Sequence, residues 1–107
     1  ETDRVEPNSH YAVSKVSAAY ILEYYARLHG LNTLNLRLYS IYGGWEEPDR
    51  LIPRLVEEAR SGSLPPLVSP DISRDFVYID DCVDAFVQAA LRVKGGISGR
   101  SYNIATG

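Results

Sequence analysis

Apolar positions along the chain change their spacing several times, and each change marks an element. Between residues 10 and 29, Ala12, Val16, Ala18, Ala19, Ile21, Leu22, Tyr25, Ala26 and Leu28 keep a helical period. Asn8 or Ser9 stands ready to cap this helix, and Gly30 to stop it. Residues 1 to 9, polar and containing Pro7, form the loop that leads in. Plotted at about 100° per residue, apolar or small side chains take up most of the circumference, while Glu23 and Arg27 share one narrow charged sector. Such a helix is expected to be buried on more than one side. The second covering surface would be another subunit or a further part of a larger domain.

Residues 33 to 39 alternate strictly, with leucines on one face, and predict a strand. Ser40-Ile41-Tyr42-Gly43-Gly44 leaves it through a glycine pair. That exit either places backbone groups at a strand's carboxyl end, where open α/β sheets bind ligands, or makes an ordinary turn. The polar loop that follows carries one large aromatic, Trp45, read as a loop anchor in preference to a lid over a ligand. Leu51, Ile52, Leu55, Val56 and Ala59 return to the helical period, so a short helix is expected over 50 to 61, with Pro53 in its first turn. Residues 63 to 70 hold three prolines and predict extended chain, with a short strand at Leu67-Val68. Residues 75 to 79 predict a strand from their β-branched and aromatic content. Asp80 and Asp81 are expected to cap a helix whose face is Val83, Phe86, Val87, Ala90 and Leu91. A turn-rich connector over 94 to 99 leads to a final strand over 101 to 105. Helix and strand alternate throughout, the order of an α/β protein with a mainly parallel sheet.

Composition narrows the function. At 107 residues the chain has room for a single segment with a modest core. A formal net charge of -3 with interspersed charges argues against a nucleic-acid or membrane-surface partner, which would call for a basic stripe. No run approaches the ~18 apolar residues of a membrane span. The single cysteine, Cys82, excludes an internal disulfide framework, fits a cytoplasmic setting and reads as a small buried hydrophobe.

Candidate chemistry begins with Tyr11 and Lys15, four residues apart and therefore on one helix face. A free phenol, with a pKa near 10, is a poor acid or base at neutral pH, whereas a cation beside it favours the phenolate. Tyr11 would be the proton-transfer group and Lys15 its tuner. In a chain with eight tyrosines this pair alone is outweighed by the plain alternative, a packed Tyr beside a solvated Lys. The Asp80/Asp81 pair invites a metal or acid-base reading, but capping and the helix dipole account for it, and no metal site is expected. Arg74 precedes a strand and follows a Pro-containing loop, so it has no local helical partner and can reach across a cleft. The alternative is a salt bridge to Asp75 or Asp71.

Five segments now stand in order: Ser9-His10-Tyr11-Ala12-Val13-Ser14-Lys15, Leu36-Arg37-Leu38-Tyr39-Ser40-Ile41-Tyr42-Gly43, Leu51-Ile52-Pro53, Arg74-Asp75-Phe76-Val77-Tyr78-Ile79-Asp80-Asp81 and Tyr102-Asn103-Ile104. The set resembles the extended short-chain dehydrogenase/reductase family, specifically the NAD-dependent epimerase/dehydratase group that acts on nucleotide sugars. The resemblance covers nearly the whole chain. It implies the C-terminal part of a Rossmann-type doubly wound parallel sheet plus part of the substrate-binding region. It also implies that the Tyr11 phenol exchanges a proton with a sugar hydroxyl while a hydride passes to or from the nicotinamide of NAD or NADP. Lys15 would hold the nicotinamide ribose and lower the Tyr pKa. Leu38 and Ser40, at the end of the first strand, would lie against the cofactor, with Ser40 also touching the sugar diphosphate. Arg50 and Leu51 would line the nucleotide, Arg74 would pair with its phosphates, and Asn103 would come close to the substrate. A homodimer through the 10 to 29 helix is the expected assembly.

The chain departs from the family pattern at several places. Ser40 stands where Asn is usual, which shortens that polar contact. Gly44 replaces the usual Pro, and Ser69-Pro70-Asp71-Ile72-Ser73 replaces the common Gly-Asp-Gly type of turn, so substrate choice is expected to differ. No Gly-x-x-Gly-x-x-Gly phosphate turn precedes a strand, and the family's upstream catalytic Ser or Thr has no counterpart here. The chain is therefore expected to be an internal segment of a roughly threefold longer enzyme, inactive by itself. Two other classes compete: a non-catalytic dinucleotide-binding relative and an oligomerisation module of the same fold. Retention of both Tyr11 and Lys15 favours the enzyme.

Overall fold

The computed structural model describes residues 5–107 except Val68 and Gly95. Residues 1 to 4 of the leading loop, Val68 of the expected short strand and Gly95 of the connector lie outside the described residues; Leu67 itself is in no strand. The elements are α1 (His10–His29), β1 (Leu34–Leu38), β2 (Ser40–Tyr42), α2 (Leu51–Arg60), β3 (Phe76–Tyr78), α3 (Ile79–Arg92) and β4 (Arg100–Ile104).

Both ends of α1 follow from single residues. The extended backbone of Ser9 lets its hydroxyl accept the Ala12 N–H at 3.1 Å, satisfying one of the helix's free donors. At the other end Gly30 adopts a left-handed conformation (φ 65°) and donates its N–H to the Tyr25 carbonyl. One face of the helix, Ala12, Val16, Ala19, Leu22 and Ala26, is half-buried. No residue of α1 is fully buried within this chain, so the second covering surface expected of another subunit or a further part of a larger domain is not supplied by these residues. Within this chain α1 packs mainly along β1, and Tyr20, Ile21 and Leu28 stay exposed.

The strands pair in parallel, as the alternation of elements requires. β1 runs beside β4, from Leu34 opposite Arg100 to Leu38 opposite Ile104, and β2 runs beside β3, from Ser40 opposite Phe76 to Tyr42 opposite Tyr78. β1 and β2 are separated by Tyr39 alone, where the chain changes partners. The Tyr39 N–H goes to the Ile104 carbonyl at 3.2 Å, and the next N–H, of Ser40, goes to the Asp75 carbonyl at 3.1 Å. The stretch before the glycine pair is therefore a second strand and not simply an exit.

Two loop expectations are overturned. Trp45 is fully exposed and anchors nothing. Its backbone is left-handed (φ 70°), a conformation that closes the turn in which the Glu46 N–H reaches the Gly43 carbonyl and that leaves the indole facing outward. Asp80 and Asp81 do not cap α3: the helix begins at Ile79, its N-cap is Tyr78 without a side-chain bond, and both aspartates sit inside the first turn. They act on the helix dipole only.

Gly43 is required by its neighbours. A β-carbon there would stand 2.5 Å from Ile79 Cγ2 and 3.0 Å from Ile79 Cβ, at a φ of 151° that side chains rarely adopt. Gly43→Ala is expected to lower the stability of the full-length protein by about 1–3 kcal/mol through this overpacking, as measured by urea unfolding.

The core is small. Val77 and Cys82, 3% and 2% exposed, are the deeply buried hydrophobic side chains among the described residues. Burial, with the nearby Asp81 charge adding, pushes the Cys82 thiol up, so it serves as the buried hydrophobe expected of it. The radius of gyration is 17.2 Å, against about 13 Å for a compact domain of this length. Exposed Val83, Phe86, Val87 and Leu91 along α3 fit the same picture of apolar faces not covered within this chain.

Candidate functional site

Two hollows meet at the end of β1. The first is a cavity of about 630 Å³ between α1 and β1, lined among others by Tyr11, Lys15, Val16, Leu36 and Leu38. Helical spacing places Tyr11 and Lys15 on the face that opens into it, and the Lys15 Nζ lies 5.2 Å from the centre of the Tyr11 ring. Tyr11 is 71% exposed, so the packed-tyrosine alternative does not describe it.

The second is a cleft of about 610 Å³ around the switch from β1 to β2, lined by Leu38, Ser40, Arg50, Ser73, Arg74 and Asp75 among others. A recess of about 310 Å³ adjoins it, sharing Ser40, Arg50 and Arg74 and adding Glu46, Asp49 and Leu51. Three separate segments, the start of β2, the start of α2 and the stretch before β3, thus bring Ser40, Arg50, Leu51 and Arg74 together. Leu38 lines both the cavity and the cleft. Asn103 is placed differently: it sits on β4 opposite Arg37 and lines neither hollow.

The two arginines differ in their restraint. Arg50 Nε meets Glu46 Oε1 at 3.4 Å, while the other Glu46 oxygen is buried with no partner. Sequence alone offered a signal for this pair, opposite charges four apart. Arg74 is exposed and, among the described residues, makes no ion pair; the alternative of a bridge to Asp71 or Asp75 is not what forms. Asp71 instead accepts the Ser69 hydroxyl at 3.2 Å. The Asp75 carboxylate is held by Thr106 and Gly107, each contact at 3.0 Å. The Thr106 N–H chiefly, with the Gly107 N–H and Thr106 hydroxyl adding, holds the Asp75 carboxyl below its ordinary value against an opposing effect of burial. The clasp therefore contributes stability above the ordinary carboxylate range, and that contribution is lost as pH falls through the lowered pKa. Nothing in the sequence pointed to this clasp, because its partners are 31 and 32 residues apart.

Among the described residues no group of His, Cys, Asp and Glu is arranged to hold a metal ion, and no helix is long and apolar enough to cross a membrane.

Parallel strands flanked by helices, with hollows at a strand's carboxyl end, define an α/β protein of the Rossmann type. The family model of the NAD dependent epimerase/dehydratase family matches residues 1–105, and the chain belongs to that family. It is 34% identical over 90 residues to a probable UDP-glucuronate 4-epimerase of Rhizobium meliloti, covering 82% of this chain and 26% of that protein. It is 30% identical over 105 residues to dTDP-glucose 4,6-dehydratase of Escherichia coli, covering 97% of this chain and 28% of that one. Among solved structures it resembles dTDP-glucose 4,6-dehydratase from Bacillus anthracis in complex with NAD, with a TM-score of 0.78, 31% identity and coverage of 98% of this chain and 33% of that one. The chain thus spans about a quarter to a third of the length of these relatives.

Proposed function

We propose that this chain is the segment of a nucleotide-sugar epimerase or dehydratase that carries the proton-transfer pair and the cleft for the nucleotide diphosphate. The observation that supports this most is the position of Leu38, which joins the Tyr11/Lys15 cavity to the cleft of Ser40, Arg50 and Arg74. A sugar placed at that junction would reach the Tyr11 phenol while its diphosphate reached two guanidinium groups.

In this reading Tyr11 takes a proton from a sugar hydroxyl or returns one, and the Lys15 ammonium beside the ring offsets the phenolate charge. The cavity suits the nicotinamide end of NAD, with Lys15 as donor to its ribose hydroxyls and Leu38 as an apolar wall. When bound, NAD supplies a hydride acceptor and donor. Arg74 pairs with the diphosphate, Arg50 and Leu51 line the nucleotide, and Ser40 makes a short polar contact to the substrate where the two hollows meet. Asn103 approaches the substrate from β4, the strand beside β1. A homodimer formed through the exposed apolar positions of α1, in a cytoplasmic enzyme, completes the proposal.

Turnover of UDP-glucuronate or dTDP-glucose by the full-length protein, followed by chromatography of the products, tests the reading. Absence of change in either sugar, or in a panel of other UDP- and dTDP-sugars, would oppose it. The 107-residue chain alone is expected to bind NAD weakly or not at all, because its sequence offers no glycine-rich turn and helix N-terminus for the pyrophosphate. Calorimetric titration checks this, and micromolar affinity would mean that the cofactor is held in another way.

A further inference from the structure

We infer that Asp75 is a positioning residue that preassembles the cleft around Arg74; the inference rests on the diphosphate reading of that cleft. Asp75 stands at the entrance to β3, directly after Arg74, and bonds in two directions. Its carbonyl accepts the N–H of Ser40, the first residue of β2, at 3.1 Å. Its carboxylate accepts the Thr106 N–H on both oxygens, the Thr106 hydroxyl on Oδ1 and the Gly107 N–H on Oδ2, all at 3.0 Å. One residue therefore fastens the segment carrying Arg74 both to β2 and to the chain that leaves β4.

Those attachments matter because the two sheets are separate. β1 pairs with β4 and β2 with β3, and the chain passes from one sheet to the other, from β1 to β2, through Tyr39 alone. Leu38 belongs to one sheet, Ser40 to the other, and Arg74 to neither, yet all three line one cleft. The Asp75 clasp fixes the distance between the loop bearing Arg74 and both sheets. It also commits the carboxylate next to Arg74 in the chain to donors of Thr106 and Gly107, so that Asp75 does not draw the Arg74 guanidinium away from an incoming anion. Arg74 accordingly stands exposed and without an ion pair among the described residues.

A double-mutant cycle in the full-length, NAD-loaded protein separates positioning from general stabilisation, with UDP and dTDP as calorimetric probes. Asp75→Asn puts an amide donor where one carboxylate oxygen accepts N–H groups. It is expected to weaken the tighter of the two nucleotides about tenfold, yet to cost less than about twofold in an Arg74→Ala background, because coupled residues do not add. Turnover should show a raised KM with kcat largely kept. Thr106→Val removes the hydroxyl bond alone and covers the case in which Asp75→Asn does not fold. It is expected to cost about threefold in the normal background and nothing measurable beside Arg74→Ala. Equal losses in both backgrounds, or unchanged nucleotide affinity in the folded variant, overturn the inference. An Arg74→Ala variant that binds both nucleotides normally overturns the diphosphate reading and this inference together. A loss with Arg74→Ala combined with additive Asp75→Asn overturns the inference alone.

Discussion

Tyr11→Phe in the full-length protein is expected to abolish turnover while leaving NAD binding nearly intact. The substitution removes the phenolic proton of Tyr11, which lines the cavity between α1 and β1, and keeps the ring. Lys15, 5.2 Å from the ring centre, retains a π face beside it, so the local arrangement of the helix is preserved. Because Tyr11 is 71% exposed, loss of its hydroxyl leaves no buried group unsatisfied and costs the fold little. The effect should therefore fall on chemistry, at ~10²-fold or more in kcat for a general acid or base. Lys15→Met should damage both turnover and NAD affinity, since the same ammonium is assigned to the cofactor ribose and to the phenolate. Steady-state kinetics paired with NAD titration of both variants is the check. Retention of turnover within about tenfold in Tyr11→Phe, less than a general acid or base supplies, would remove Tyr11 from its assigned role.

The same pair shows how far the sequence carries. α1 could be placed from residue 10 to residue 29 because every signal for it is local: the Ser9 hydroxyl, the left-handed Gly30 and an unbroken helical period between them. The α/β class and parallel pairing followed from the alternation of elements. β2 was harder to see, because a three-residue strand running into Gly43 has too few positions to show alternation. Its existence depends on β3, more than thirty residues away in sequence. Asp80 and Asp81 are good capping residues, but α3 starts directly out of β3 at Ile79, and the register of that junction overrides the local preference. Trp45 failed as an anchor because its left-handed backbone, invisible in a residue pattern, turns the indole to solvent. In the candidate site, Ser40, Arg50, Leu51 and Arg74 were each nominated by resemblance to the family. Their convergence on one cleft and its recess is a fact of the fold. The Asp75 clasp lay beyond reach, since a carboxylate beside an arginine reads first as a salt bridge.

That alternative partner makes Arg74 the sharpest remaining test. An exposed Arg74–Asp75 ion pair would be worth only ~0–1 kcal/mol, so its loss would shift stability slightly and leave nucleotide affinity alone. The geometry opposes that account: Asp75 is engaged with Thr106 and Gly107, Asp71 with Ser69, and Arg74 lines the cleft with Ser40 and Arg50. A guanidinium in that setting can meet a diphosphate with paired, charge-assisted hydrogen bonds, for which about 1.5–3 kcal/mol is the usual range. Arg50 is a weaker candidate for the main anchor because it is already tied to Glu46 at 3.4 Å and must share its charge. Arg74→Ala in the full-length protein is therefore expected to raise the dissociation constant for the nucleotide sugar at least about tenfold, equal to about 1.4 kcal/mol. NAD affinity should change little, because Arg74 lines the cleft and not the Tyr11/Lys15 cavity. Titration of wild type and variant with UDP and dTDP, together with a thermal melt, decides between the two accounts. Unchanged nucleotide affinity with a slightly lowered melting temperature would return Arg74 to a purely structural role.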